Sequence, residues 1–226
     1  MINLKEHYKK LYEETKHYFI SNNCQVDRLI DAHSDQRFGI TLLLRPSINV
    51  KNNIQKFLSK LKEIEPDQYY YPNSDIHITV LSIISCYEGF DLNHIVLDRY
   101  IKIIQESLID ASKIKIECKG VTASPSCVMI KGFGNPVLND IRNRLRIQFK
   151  NSGLEQSIDT RYTILTAHAT VVRYRKPISK KLEFLDLIEE YITYDFGSFD
   201  TDRLELVYND WYQRERYVKK IQDFRI

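Results

Sequence analysis

Two short segments of one form constrain this chain more than anything else in it: Ile76-His77-Ile78-Thr79-Val80 and Ala167-His168-Ala169-Thr170-Val171. The two histidines lie 91 positions apart. Successive side chains of a strand point to opposite faces, so His77 and Thr79 share one face while Ile76, Ile78 and Val80 take the other. His168 and Thr170 repeat the arrangement. Each segment also occupies the same place in a longer unit that occurs twice. In the first copy an apolar run at 38–44, ended by Pro46, reads as a buried strand, and Val50, Ile54, Phe57, Leu58 and Leu61 form the stripe of a helix. The His77 strand at 76–84 follows, then a helix through Leu97, Tyr100, Ile101, Ile104 and Leu108, then an alternating strand at 113–117. The second copy runs from a strand at 127–130 through a helix with Leu138, Ile141, Leu145 and Phe149 to the His168 strand at 164–172. A helix with Leu182, Leu185, Ile188 and Ile192 and a strand at 203–208 complete it. An internal duplication accounts for both the order and the spacing.

Two such halves, about 37–119 and 120–226, face one another in the expected architecture. This is a bilobal, duplicated α+β fold with two small antiparallel sheets backed by helices around a central cleft. A last strand at 217–224 is expected to pair with 203–208 as a hairpin. Residues 1–36 form an extension: Leu4, Tyr8, Leu11, Tyr12, Thr15, Tyr18 and Phe19 fall at helical spacing between charged residues, which predicts an amphipathic helix and then a polar stretch.

Composition narrows the ligand. A formal charge of +3 is too balanced for wrapping long nucleic acid, and only 7 glycines argue against a Gly-rich phosphate loop, so a small or short anionic ligand fits better. Lys131-Gly-Phe-Gly-Asn-Pro136 reads as a strand-to-helix turn with Pro in the first helical turn. The four cysteines are scattered, without a Cys-x-x-Cys pair, and His77 and His168 lack a third ligand at fixed spacing; no metal and no cofactor are expected. No stretch of 18 uncharged apolar residues occurs. A cytoplasmic, monomeric protein that does not enter a membrane is the expectation.

Hydrolysis of a phosphodiester needs a base for the nucleophile and an acid for the leaving oxygen, and histidine is the side chain whose ordinary pKa suits both. Threonine hydroxyls suit the non-bridging oxygens. With these residues in view, the chain resembles the 2H phosphoesterase superfamily, whose signature is two His-x-Thr-x motifs on paired strands of a duplicated, bilobal fold and which includes the RNA 2′,3′-cyclic phosphodiesterases once called 2′-5′ RNA ligases. The resemblance runs from about Arg37 to the C-terminus. Tyr70-Tyr71-Pro72 before the first motif is similar to the aromatic-Pro approach of that family, and Arg173 matches a form of the second motif that ends in a basic residue. The extension lies outside the minimal fold, and both motifs end in Val where Leu is common.

The resemblance implies that His77 and His168 are catalytic and that Thr79 and Thr170 bind phosphate. It implies a nucleotide or short RNA as substrate, opened at a ribose 2′,3′-cyclic or 2′-5′ linkage; a cyclic or 2′-5′ oligonucleotide signal, or silent nucleotide binding, are the alternatives. Tyr70, Tyr71, Trp211 and Tyr212 are candidates to stack on a base, against simple cover of the core edge. Arg173 has the wrong strand parity to face the phosphate unless a bulge intervenes. His7, His17, His33 and His94 are expected at the surface.

Overall fold

The computed structural model describes residues 3–21 and 23–226. Helix α1 (Leu4–Ile20) begins where the Asn3 side chain accepts from the backbone N–H groups of Lys5 and Glu6, and its stripe of Tyr8, Tyr12, Thr15 and Phe19 is buried. The extension is therefore docked, not loose. Thr15 donates to the carbonyls of Leu11 and Ala123 at 2.8 Å each. Burial of Phe19 alone contributes about 1.5–3 kcal/mol.

After the extension come β1 (Arg37–Leu44), α2 (Ile48–Ile64), β2 (Tyr69–Tyr70), β3 (Ile78–Glu88), a short 3-10 turn (Leu92–His94), α3 (Leu97–Leu108) and β4 (Ile114–Ser124). The second stretch is β5 (Cys127–Gly134), α4 (Pro136–Ser152), β6 (Ala169–Arg173), α5 (Lys181–Glu190), β7 (Asp195–Thr201), β8 (Arg203–Asp210) and β9 (Lys219–Arg225). Every helix and strand expected from periodicity is present, and Pro136 opens α4 as its turn chemistry requires. Strand β7 escapes the pattern because Phe196 and Phe199, its buried residues, are three apart and the strand carries Gly197 at φ 104°.

All strands pair antiparallel in two sheets, ordered β3-β1-β8-β9 and β2-β6-β5-β4-β7. This is the α+β architecture with two antiparallel sheets. Each half donates its third strand to the other half's sheet: β8 lies beside β1, and β4 lies beside β5. The trios β3-β1-β8 and β6-β5-β4 are pseudo-equivalent, so the two lobes interlock through exchanged strands. The C-terminal hairpin of β8 and β9 forms as its alternation predicts.

Both motif strands carry a bulge at the same place. Along β1, Leu42 faces Leu81 but Leu43 faces Thr79, which leaves Val80 unopposed; along β5, Val128 faces Val172 but Met129 faces Thr170, which leaves Val171 unopposed. Side-chain parity therefore reverses one residue after each threonine.

Candidate active site

A cavity of about 590 Å³ lies between the sheets, and His77, Thr79, His168 and Thr170 all line it. Each histidine sits immediately before its strand, since β3 starts at Ile78 and β6 at Ala169, not at 76 and 164 as periodicity predicts. The 153–168 stretch has no regular structure, and its residues from Ser157 to Thr166 form one wall of the cavity. Bonds from Ser157 N–H to the Ile83 carbonyl at 2.9 Å and from Ser85 N–H to the Ser157 hydroxyl at 2.6 Å tether it to β3.

The Tyr-Pro approach to the first motif has a local purpose. Pro72 turns the chain so that its carbonyl accepts from Asp75 N–H at 3.0 Å and Ile76 N–H at 3.3 Å, and buried Asp75 is fixed from outside by Glu215 N–H at 3.0 Å. The Asp75 carbonyl then meets Nδ1 of His77 at 2.7 Å. Because a carbonyl only accepts, Nδ1 carries a proton and Nε2 is the nitrogen left for chemistry. His168 differs: its Nδ1 is 2.6 Å from the Thr166 hydroxyl, which can donate or accept.

Each imidazole opens only to the cleft and is otherwise enclosed by protein. Burial pushes both pKa values down, each to about 4. At His77 the Asp75 carbonyl opposes that push, while the positive charges of Arg45, His168 and Arg173 add to it. At His168 nothing opposes it, and Arg142, Arg173 and His7 all disfavour the imidazolium. Because the unfolded chain binds protons at these sites from about pH 6.5 and the folded one only near pH 4, stability is expected to fall as pH drops through that window. Thermal melts across it should show a shallower fall in the His77→Gln, His168→Gln double variant; an unchanged slope would reject the assignment.

The bulge at Val171 decides the place of Arg173. With parity reversed after Thr170, Arg173 turns to the same side as His168 and Thr170 and lines the cavity. Among the described residues it forms no ion pair, and the hydrogen bond that its side chain makes is Nε donating to the Tyr71 hydroxyl at 3.5 Å. Trp211 lines the cavity as well, with the guanidinium groups of Arg161 at 4.3 Å and Arg173 at 6.0 Å from its ring. Tyr71 reaches the cavity but is 2% exposed, so it braces Arg173 and presents no free face.

Tyr70 and Tyr212 are not brought to the cavity. The Tyr70 hydroxyl donates to the Glu65 carbonyl at 2.7 Å, and Tyr212, fully buried, donates to Asp27 at 2.9 Å. Both rings cover the core because neighbouring side chains point to opposite sides in strand β2 at 69–70 and in the turn at 211–212. His17, His33 and His94 are exposed, and so is His7, which nonetheless lies on the lip of the cavity.

Sequence reasoning missed Arg142. From its place in α4 it is 1% exposed and donates to the carbonyls of Val80 at 2.8 Å, Thr79 at 2.9 Å and Thr166 at 2.8 Å. The first bulge leaves two successive carbonyls, and one guanidinium satisfies both while holding the approach to the second motif. Its position on the stripe after Ile141 gave no signal beyond that of a helix residue. Among the described residues, no three His, Cys, Asp or Glu side chains converge in a way that could hold a metal ion.

No protein-family model matches the chain, and no curated protein matches it. Solved structures do. Similar structures include one described as a phosphoesterase, with a TM-score of 0.53 at 10% identity over 85% of this chain and 99% of that one. Another is E. coli LigT complexed with 3′-AMP, with a TM-score of 0.58 at 12% identity over 84% and 98%. A conserved protein of unknown function from Agrobacterium tumefaciens, ATU0111, has a TM-score of 0.58 at 12% identity over 90% and 96%. The chain thus has the fold of the phosphoesterase and LigT structures, and the resemblance read from its two motifs extends to the arrangement of the whole domain.

Proposed function

We propose that this protein is a 2H-type phosphodiesterase that opens a ribose 2′,3′-cyclic or 2′-5′ phosphodiester by two-histidine acid–base catalysis, without a metal. The observation that carries the reading is the convergence of His77, Thr79, His168, Thr170 and Arg173 on one cavity from two bulged, pseudo-equivalent strands. A nucleotide fits the volume, which lies within the range of small-ligand sites. The fold is shared with LigT, whose structures hold 3′-AMP, ATP or NADP+.

His168 is the general base and His77 the general acid. Burial disfavours the charged form of both rings, but at His77 the Asp75 carbonyl bonded to Nδ1–H opposes that push, whereas at His168 nothing opposes it and the Arg142 charge adds to it. Water attacks phosphorus and passes a proton to Nε2 of His168; the bond from phosphorus to the leaving ribose oxygen breaks, and Nε2–H of His77 protonates that oxygen. One water is consumed per bond, and exchange with solvent restores both rings. Thr79 and Thr170 hydroxyls and the Arg173 fork hold the non-bridging oxygens as charge builds on them. Trp211 offers a base-stacking face.

Arg161 favours a second reading, a substrate with more than one phosphate such as a 2′-5′ or cyclic oligonucleotide signal. It is a second guanidinium in the cavity, and it forms no ion pair among the described residues. Incubation with 2′,3′-cyclic mononucleotides, 2′-5′ oligoadenylate and cyclic oligonucleotides, each with and without EDTA, separates these. Turnover of the first class, insensitive to EDTA, is expected; turnover of oligonucleotides only would select the second reading, and binding without turnover would leave a silent nucleotide-binding module.

A further inference from the structure

We propose that Asn209, together with Gln213, selects the base of the nucleotide, favouring a base that carries an exocyclic amino group over one that carries a carbonyl in its place. The inference rests on the reading of the cavity as a nucleotide site with Trp211 as its stacking face. From the end of β8 into the turn that follows, Asn209, Trp211 and Gln213 line the cavity, while Asp210, Tyr212 and Arg214 alternate with them and do not. Trp211 thus stands between two side-chain amides, groups that recognise bases by hydrogen bonds to their edges.

Both amides are buried and incomplete. Asn209 is 3% exposed and Gln213 5%, and among the described residues neither Oδ1 of the one nor Oε1 of the other has a hydrogen-bond partner. A buried acceptor without a donor is costly, and most such atoms in folded proteins are paired. At Asn209 the orientation is fixed. Its Nδ2 donates to the Asp210 carbonyl at 2.9 Å and to Cys86 Sγ at 3.5 Å, so the amide cannot exchange its ends without setting oxygen against oxygen. Its own oxygen is therefore a standing acceptor. The residue opposite on β1 is Gly39, which brings no side chain to satisfy it.

Gln213 is held against strain. Its φ is 60°, in the left-handed region that favours glycine. The turn imposes this: Gln213 N–H donates to the Asp210 carbonyl at 3.2 Å, and the Asp210 carboxylate accepts from Arg214 N–H at 2.8 Å and from Arg214 Nε at 2.6 Å. A glutamine in a strained backbone, with its side chain on the cavity and its oxygen unpaired, is explained by a ligand. What that ligand must bring to Asn209 is a donor. Cytosine N4 and adenine N6 are amines and supply one, whereas uracil and hypoxanthine hold a carbonyl oxygen at the same position and would set it against Oδ1. Gln213 turns its amide to meet whichever group the base offers beside the amine.

Calorimetric titration of the full chain with 3′-CMP against 3′-UMP, and with 3′-AMP against 3′-IMP, tests this on pairs that differ only at that edge. The amino member of each pair is expected to bind about 10–100-fold more tightly, the scale of discrimination by a good base-edge contact. Asn209→Leu, close in volume but without an acceptor, should remove the preference. Gln213→Gly should reduce it and, by relieving the left-handed backbone, raise the melting temperature. Equal affinity within each pair overturns the proposal, and so does a preference that survives Asn209→Leu. Should Asn209→Leu fail to fold, the affinity ratios of the unaltered chain and of Gln213→Gly decide. Titration needs no turnover, so failure to bind any of these nucleotides would defeat the nucleotide reading and this one with it, whereas equal binding would defeat this one alone.

Discussion

His168→Gln is expected to lower kcat by about 10²–10⁴-fold on every phosphodiester the protein cleaves, whereas the loss in His77→Gln should shrink to within about tenfold when the leaving group is p-nitrophenolate. The difference follows from their tasks. Activation of water is needed whatever leaves, but a phenolate that is stable as an anion needs no proton. The assignment comes from the Asp75 carbonyl, which opposes the effect of burial on His77, and from burial together with the Arg142 charge, which nothing opposes at His168. Kinetics on paired substrates with ribose and p-nitrophenyl leaving groups would check it; relief of His168→Gln by the activated ester would reverse the two roles. The double variant should lose little more than the worse single one, since groups acting in one step are far from additive. Both rings open to the cleft, so folding should survive each change.

A second large effect is expected at Arg173. Arg173→Met should cost about 10²–10³-fold in kcat/KM, the scale for removing one donor aimed at developing charge in an enclosed site. Arg173→Lys should recover only part of it, because an ammonium cannot match two phosphate oxygens with a planar fork. Stability distinguishes this from a structural role. Among the described residues the guanidinium pairs with no carboxylate, hydrogen-bonds only the Tyr71 hydroxyl and lies over the exchangeable face of Trp211, so the melting temperature of Arg173→Met should hold or rise. A marked fall in melting temperature with activity intact would show that Arg173 serves packing and that phosphate is held by the threonines alone.

Trp211 and the three tyrosines weighed with it show how far side-chain type carries such reasoning. Trp211, Tyr212, Tyr70 and Tyr71 are equal candidates in sequence, yet only Trp211 presents a ring in the cavity, while Tyr70 and Tyr212 spend their hydroxyls on Glu65 and Asp27. Adjacent residues of a turn diverge, and no periodicity says which one faces the ligand. His7 is exposed as its helix position predicts, but the docking of α1 places it on the cavity lip, a contact between segments far apart in the chain.

What the sequence alone determined is what local spacing encodes. The period of two puts His77 with Thr79 and His168 with Thr170, the period of 3.6 marks the helices from their apolar stripes, and the repeated order of elements pairs the two motifs. Tertiary structure alone decided the rest. A strand's pattern does not name its neighbour, so the exchange of β4 and β8 between the halves had no local signature. A bulge adds a residue without changing composition, so the reversal at Val171 that brings Arg173 to the cavity side is fixed by pairing with β5 and not by the motif itself. Likewise Arg142 and Thr166 come from distant segments, and the bonds that join them beside His168 exist only once α4 and the approach to β6 have packed together.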